Sequence, residues 1–281
     1  MPEEGSGRPP VTAALPALWL LLFVALPLVL ALGFSFSLRD PAGGVLRGFS
    51  LDAWRSVAAP LTLRVLARSV AVATLSTALT VALAFPVAFY AAFAPKRLKA
   101  LTLALVLLPF WTNLMIRIYA LTSLLGDTGF VNRLLLWARL PGAPYALGGD
   151  DVAVQLGLLY SNLPFAVLPI FAVLDRLDPA LLEAAMDLGA SRSRVFRDVT
   201  LPASLPGILS AVAFCFVPTL GAFAVPQILG GPDDMMIGNV VTSAFLEGRN
   251  WPFGSALGAA LLAVSAAVSY THLTLPTNRE V

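Results

Sequence analysis

Lysine occurs only twice in this chain, at Lys96 and Lys99, and neither follows a glycine. A phosphate loop needs Gly-Lys-Ser/Thr, so the chain cannot bind ATP in that way. There is one histidine, His272, and one cysteine, Cys215, which lies inside an apolar run. A lone cysteine closes no internal disulfide and reads as a small buried hydrophobe. A single His and a single Cys make a poor metal site, and a thiol without a neighbouring base makes a poor nucleophile. Charge is thin as well, at 12% of residues, against about 25% in ordinary soluble domains. The formal charge of +2 comes without a basic patch interleaved with aromatics, which argues against a nucleic-acid partner.

What fills the space is hydrophobic: 58% of the 281 residues, with mean hydropathy +0.83. The chain reads as an all-α, polytopic protein of the lipid bilayer. Apolar runs predict spans at about 12–37, 69–93, 101–125, 152–174, 205–229 and 253–269. Each supplies close to the ~20 residues that cross a hydrocarbon core of about 30 Å. None holds a carboxylate at membrane depth. Residues 1–11 read as a polar tail. The segments 38–68, 126–150 and 230–253 read as loops on one side of the membrane. Pro95-Lys-Arg-Leu-Lys99 is short, basic and free of acids, which marks the cytoplasmic side and places the N-terminus there too.

The most polar interruption is residues 175–202. Asp178 is a good helix N-cap, and Pro179 suits the first helical position. Leu181, Leu182, Ala184, Ala185 and Leu188 give the helix an apolar, small-residue side. Gly189 can take the left-handed conformation that ends it. Ser191 can cap a second short helix carrying Arg192, Arg194 and Arg197, with Leu201-Pro202 as its stop. The product is a knob, shaped to dock into something.

Glu183-Ala-Ala185, with Gly189 four residues on and Leu201-Pro202 after eleven more, resembles the "EAA" loop of ABC-importer permeases. Leu108-Pro-Phe-Trp-Thr112, Arg117-Ile-Tyr119, Asn162-Leu-Pro-Phe165, Leu220-Gly-Ala-Phe223, Leu229-Gly-Gly-Pro232 and Asn250-Trp-Pro-Phe253 resemble the spermidine/putrescine-type members. The resemblance implies the six-span type I importer fold over residues 12–268, with the last span truncated; residues 269–281, polar and without a basic stop, read as a non-native tail. It implies a permease subunit of the bacterial cytoplasmic (inner) membrane, not an enzyme. Its partners would be two copies of an ATPase that bind ATP and Mg, a second permease, and a periplasmic or extracellular substrate-binding protein. Glu183, Ala184, Ala185, Gly189, Leu201 and Pro202 would couple to the ATPase.

Trp111, Asn113, Arg117, Tyr119 and Phe223 are the candidates for a substrate path, because polar and aromatic groups inside spans are functional by default. The implied solute is a polyamine. The same architecture carrying another organic cation, an opine, an aminophosphonate or iron(III) is the alternative. An ion-coupled secondary transporter would show internal repeats and membrane-embedded acids, and the sequence shows neither.

Overall fold

The computed structural model describes residues 11–138, 145 and 147–274. The chain opens with α1 (Val11–Leu20) and α2 (Leu26–Ser35), joined by one wide π turn at Leu21–Ala25. A hairpin of β1 (Ser37–Arg39) and β2 (Val45–Phe49) and a short α3 (Asp52–Val57) lead into α4 (Pro60–Phe93). Then come α5 (Lys96–Leu107), α6 (Leu114–Leu125), α7 (Phe130–Trp137) and α8 (Asp151–Leu174). The polar interruption holds α9 (Pro179–Asp187) and α10 (Arg192–Val195). The chain continues with α11 (Leu201–Leu220), α12 (Ala224–Leu229), α13 (Ile237–Leu246) and α14 (Trp251–Thr274). Among the described residues, six stretches are long and apolar enough to cross a membrane: Ala14–Ser35, Pro60–Phe93, Leu114–Trp137, Asp151–Leu174, Arg192–Leu220 and Trp251–Tyr270.

Four expectations need correction. The second span begins at Pro60 rather than near residue 69, because Arg68 finds carboxylate partners and the polar first turns stay helical. The third is not one rod over 101–125: Pro109 opens a tight 3₁₀ turn at Leu108–Trp111, Thr112 is extended, and a new helix starts at Leu114. The fifth starts far earlier, since α10 runs through a π turn at Phe196–Thr200 straight into α11. Leu201-Pro202 therefore does not stop it: the Leu201 N–H reaches back five residues to Phe196 O, a wider turn that accommodates the proline. That span also ends at Leu220, with Gly221–Phe223 breaking the helix before α12. Finally, the segments 126–150 and 230–253, read as plain loops, contain α7 and α13. The polar tail expected over residues 1–11 lies outside the described residues except for residue 11, as does the part of the suspect C-terminal tail beyond Thr274.

The chain divides into two compact units. The first joins residues up to Pro60 with Val241–Ala260. Its hairpin is antiparallel, pairing Leu38 with Leu46 and Arg39 with Val45, and bulges between Ser37 and Leu38. Arg39 Nη2 donates to Gly248 O at 3.2 Å, and the Gly44 N–H to Arg249 O at 3.1 Å, which ties the hairpin to the segment before α14. Phe36 meets both Phe49 and Trp54, at ring distances of 5.8 and 5.7 Å. Trp251 meets Phe34 and Phe245 edge-on.

The second unit, Leu61–Val240 with Leu261–Val281, is built on the pairing of α8 with α11. Small residues permit close approach, as they do generally where lipid offers no hydrophobic drive for helix association. A Cβ at Gly207 would stand 2.8 Å from Pro169 O and 3.0 Å from Ile170 Cα. Ala84, Ala88, Ala166, Ala211 and Cys215 are fully buried around Val167 and Ile170. Asn162 Nδ2 donates to Thr219 Oγ1 at 2.8 Å across the pair.

Polar groups fasten both ends of α8. At its start, Arg68 of α4 pairs with Asp151 and, at 2.6 Å, with Asp234. Burial opposes charge on Asp234. The Gly231 N–H at 2.8 Å and the Arg68 guanidinium outweigh it and hold the carboxyl below the usual carboxylate range. Beside it, Ser69 Oγ accepts from the Ile237 N–H at 2.7 Å. At the other end, Lys99 of α5 pairs with Asp175. The basic 95–99 cluster and the start of the 175–202 segment thus share one end of the unit.

Candidate coupling loop and membrane cavity

The 175–202 segment is set by its own caps. Asp178 Oδ1 accepts from the Ala180 N–H at 3.0 Å, and Pro179 takes the first helical position. At the other end Gly189 has φ +85°. Its N–H reaches Met186 O at 2.9 Å, and the Ala190 N–H reaches Ala185 O at 3.1 Å. These two bonds make the Schellman closure, which needs a residue with positive φ. α9 has no buried residue. Leu181 and Met186 are exposed, Leu188 is 90% exposed, and Glu183 and Ala184 also face outward. α9 thus presents unburied apolar side chains between its two caps.

Leu201 and Pro202 lie apart from this knob, in the first turn of α11. Arg197 bonds Asp198 at 2.9 Å, while Arg192 and Arg194 sit in α10 beside the knob.

A cavity of about 410 Å³ opens beside the α8–α11 pair where two helices break. Phe110, from the turn before α6, and Phe223, from the break after α11, form part of its wall. Asn162, Phe165 and Thr219 come from the helix pair, and Arg117 comes from α6. The Arg117 guanidinium lies 4.6 Å from the Phe110 ring centre and 6.0 Å from that of Tyr160. Phe110 meets Phe165 edge-on at 5.2 Å.

Of the five path candidates, the structure brings Arg117 and Phe223 to this cavity. Trp111 and Tyr119, 88% and 60% exposed, do not line it. Asn113 is the N-cap of α6, accepting from the Met115 N–H at 2.8 Å. Phe110, Phe165 and Thr219, which the sequence does not single out, also line the cavity. Their convergence has no local sequence signal, although Phe110 and Phe165 stand in the quoted motifs.

The model of the family described as "Binding-protein-dependent transport system inner membrane component" matches residues 11–275. The chain belongs to that family. The permease is 39% identical over 246 residues to the spermidine/putrescine transport system permease protein PotB of Escherichia coli strain K12, covering 88% of this chain and 90% of that one. It is 36% identical over 262 residues to PotB of Haemophilus influenzae, with 93% and 92% covered. Among solved structures, its fold matches that of a bacterial ABC transporter involved in the import of the acidic polysaccharide alginate. The TM-score is 0.75 at 18% identity, with 96% of each chain covered. The permease is thus a multi-pass membrane protein with the fold of an ABC-importer permease.

Proposed function

We propose that this permease is the membrane subunit of an ATP-driven importer for polyamines of the spermidine/putrescine class. The observation that carries the coupling half of this reading is α9, a helix capped at both ends by its own residues with its apolar side chains unburied. The reading seats it in a groove of a separate ATPase. Glu183, Ala184 and Ala185 form its contact face and Gly189 closes it. Two ATPase copies bind ATP and Mg, and a second permease completes the path. An external binding protein delivers the solute. The N-terminus lies in the cytoplasm, as does the 175–202 segment, which shares its end of the helical unit with the basic Lys96–Lys99 cluster through the Lys99–Asp175 pair.

The ATPase, closing on ATP, supplies the differential binding free energy that any induced change requires. This chain then acts as a stiff lever. The helical stretch from Arg192 to Leu220, with its wider turn at Phe196–Thr200, leads from the knob to the wall of the cavity, so motion at one end is passed to the other along one connected element. Polyamine as solute is supported by the likeness to the spermidine/putrescine permeases.

The test is ATP-dependent uptake of labelled putrescine into proteoliposomes holding the permease with its partners. Uptake that requires ATP and fails with a Glu183→Arg permease is expected. ATP-independent uptake, or full activity and unchanged ATPase association in Glu183→Arg, would refute the reading.

A further inference from the structure

We propose that Asn239 is a positioning residue for the cavity, holding Phe223 and the helix break that carries it in the cavity wall. Gly221, Ala222 and Phe223 lie between the end of α11 and the start of α12, and all three line the cavity. A helix break leaves backbone groups without their regular partners. Here the hold comes from the first turn of α13. Asn239 Nδ2 donates to Phe223 O at 2.9 Å. Phe223 O also accepts from the Gln227 N–H at 3.1 Å, so Asn239 grips the peptide at which α12 begins. The same turn packs directly on the break: a Cβ at Gly238 would stand 2.5 Å from Ala222 O and 2.6 Å from Gly221 O.

The identity of residue 239 separates a hold from a cap. Asn239 stands three residues after Met236, and its Oδ1 accepts from the Met236 N–H at 3.1 Å. That bond caps the start of α13, a task a carboxylate performs as well or better. A carboxylate has no N–H, however, and an amide can cap Met236 and donate to Phe223 O at once. Asn239 is buried, which raises the cost of leaving either bond unmade. The turn is itself anchored, since the Ile237 N–H donates to Ser69 Oγ at 2.7 Å beside the Arg68–Asp234 pair. Consecutive hydrogen bonds thus run from α4 through the start of α13 to Phe223. The placing of the Phe223 ring is set from α13, not by α11 and α12 alone.

The inference rests on the transport reading only in taking the cavity as part of a solute path. The first test needs no transport. In the full-length permease in lipid nanodiscs, Cys215, the only cysteine of the chain, is replaced by alanine. Phe223→Cys then carries a nitroxide whose mobility is read by electron paramagnetic resonance. Asn239→Asp keeps the cap and loses the donor. The mobile fraction of the label should rise by about fivefold or more, the change that one buried hydrogen bond supports. If Asn239 only caps α13, the label stays restrained in Asn239→Asp, and that result overturns the proposal. Asn239→Ala, uncharged, covers the case in which a buried carboxylate prevents insertion; a restrained label there overturns it equally.

Uptake by the assembled importer adds an independent reading. With Phe223 in place, Asn239→Asp should lower ATP-dependent putrescine uptake by about fivefold or more at equal permease content. In a Phe223→Ala background the same substitution should change uptake by less than about twofold, because Asn239 acts through that ring. Equal fold-losses in the two backgrounds overturn the proposal. An unmodified importer that takes up no putrescine counts against the transport reading alone, since label mobility is measured without it.

Discussion

Replacing Gly189 separates backbone geometry from every other property of the coupling knob. The residue has φ +85°, and nothing lies within 4 Å of where its Cβ would stand. A larger side chain therefore meets no steric wall, and the cost is that of the left-handed conformation itself. For an ordinary L-residue this is roughly 1–2 kcal/mol, and it is worst for β-branched side chains. Packing offers no offset, because α9 is nine residues long with none of them buried. Helices this short are marginal on their own. A loss of about 1–2 kcal/mol lowers the ratio of closed to open knob by about 5–30-fold.

The series Gly189→Asn, →Ala and →Val should grade the defect, since asparagine tolerates positive φ, alanine less so and valine least. The assay is ATP-dependent uptake in proteoliposomes, with the permease content of the membrane as control. Gly189→Val should insert at normal levels and lose about fivefold or more of uptake, with Gly189→Asn close to the parent. Full uptake by Gly189→Val, or equal damage from Asn and Val, would refute the reasoning.

Gly207→Leu drives a side chain into Pro169 O and Ile170 Cα, which are backbone atoms that cannot swing aside. It should destabilise the α8–α11 pair by about 1–3 kcal/mol or more, seen as a lower unfolding temperature in detergent. Asn162→Leu leaves the Thr219 hydroxyl buried without its partner and should cost about 1–3 kcal/mol by the same measurement. The Asp234 carboxyl is held below its ordinary range, so its contribution to stability is complete above the unfolded carboxylate value, near pH 4, and is lost as pH falls through the lower folded value. Unfolding temperature should therefore drop below about pH 4 in the parent, and the drop should be smaller in Asp234→Asn; identical pH profiles would contradict the clamp.

What was legible in the sequence was what short-range chemistry decides. Asp178-Pro179 and Gly189 fix α9 from within, and the structure places the caps where those residues stand. Long apolar runs likewise locate the first, fourth and sixth spans to within two residues at their starts. The break at Pro109–Asn113 was hidden because the apolar run continues across it, and Asn113 reads as a polar residue in a span until its capping bond to Met115 is seen. Leu201-Pro202 reads as a helix stop, yet a single wider turn carries the helix through. α13 was lost among polar neighbours, although Ile237, Val240, Val241, Ala244 and Phe245 carry a helical apolar spacing. The cavity was least legible. Phe110, Arg117, Phe165 and Phe223 meet only because two helices break beside a tightly packed third and fourth, and no local pattern encodes that meeting.

The claim on which the account turns is that an ATPase takes hold of the 175–202 segment. A photo-reactive benzoylphenylalanine placed at Leu188, the most exposed apolar side chain of the knob, tests it directly in intact membranes. The account expects one dominant protein adduct, with a chain that carries a Gly-Lys-Ser/Thr phosphate loop, and its loss when Gly189 is also replaced by valine. Adducts with lipid alone, or the same ATPase adduct in equal yield from a cross-linker at Trp111, would contradict it.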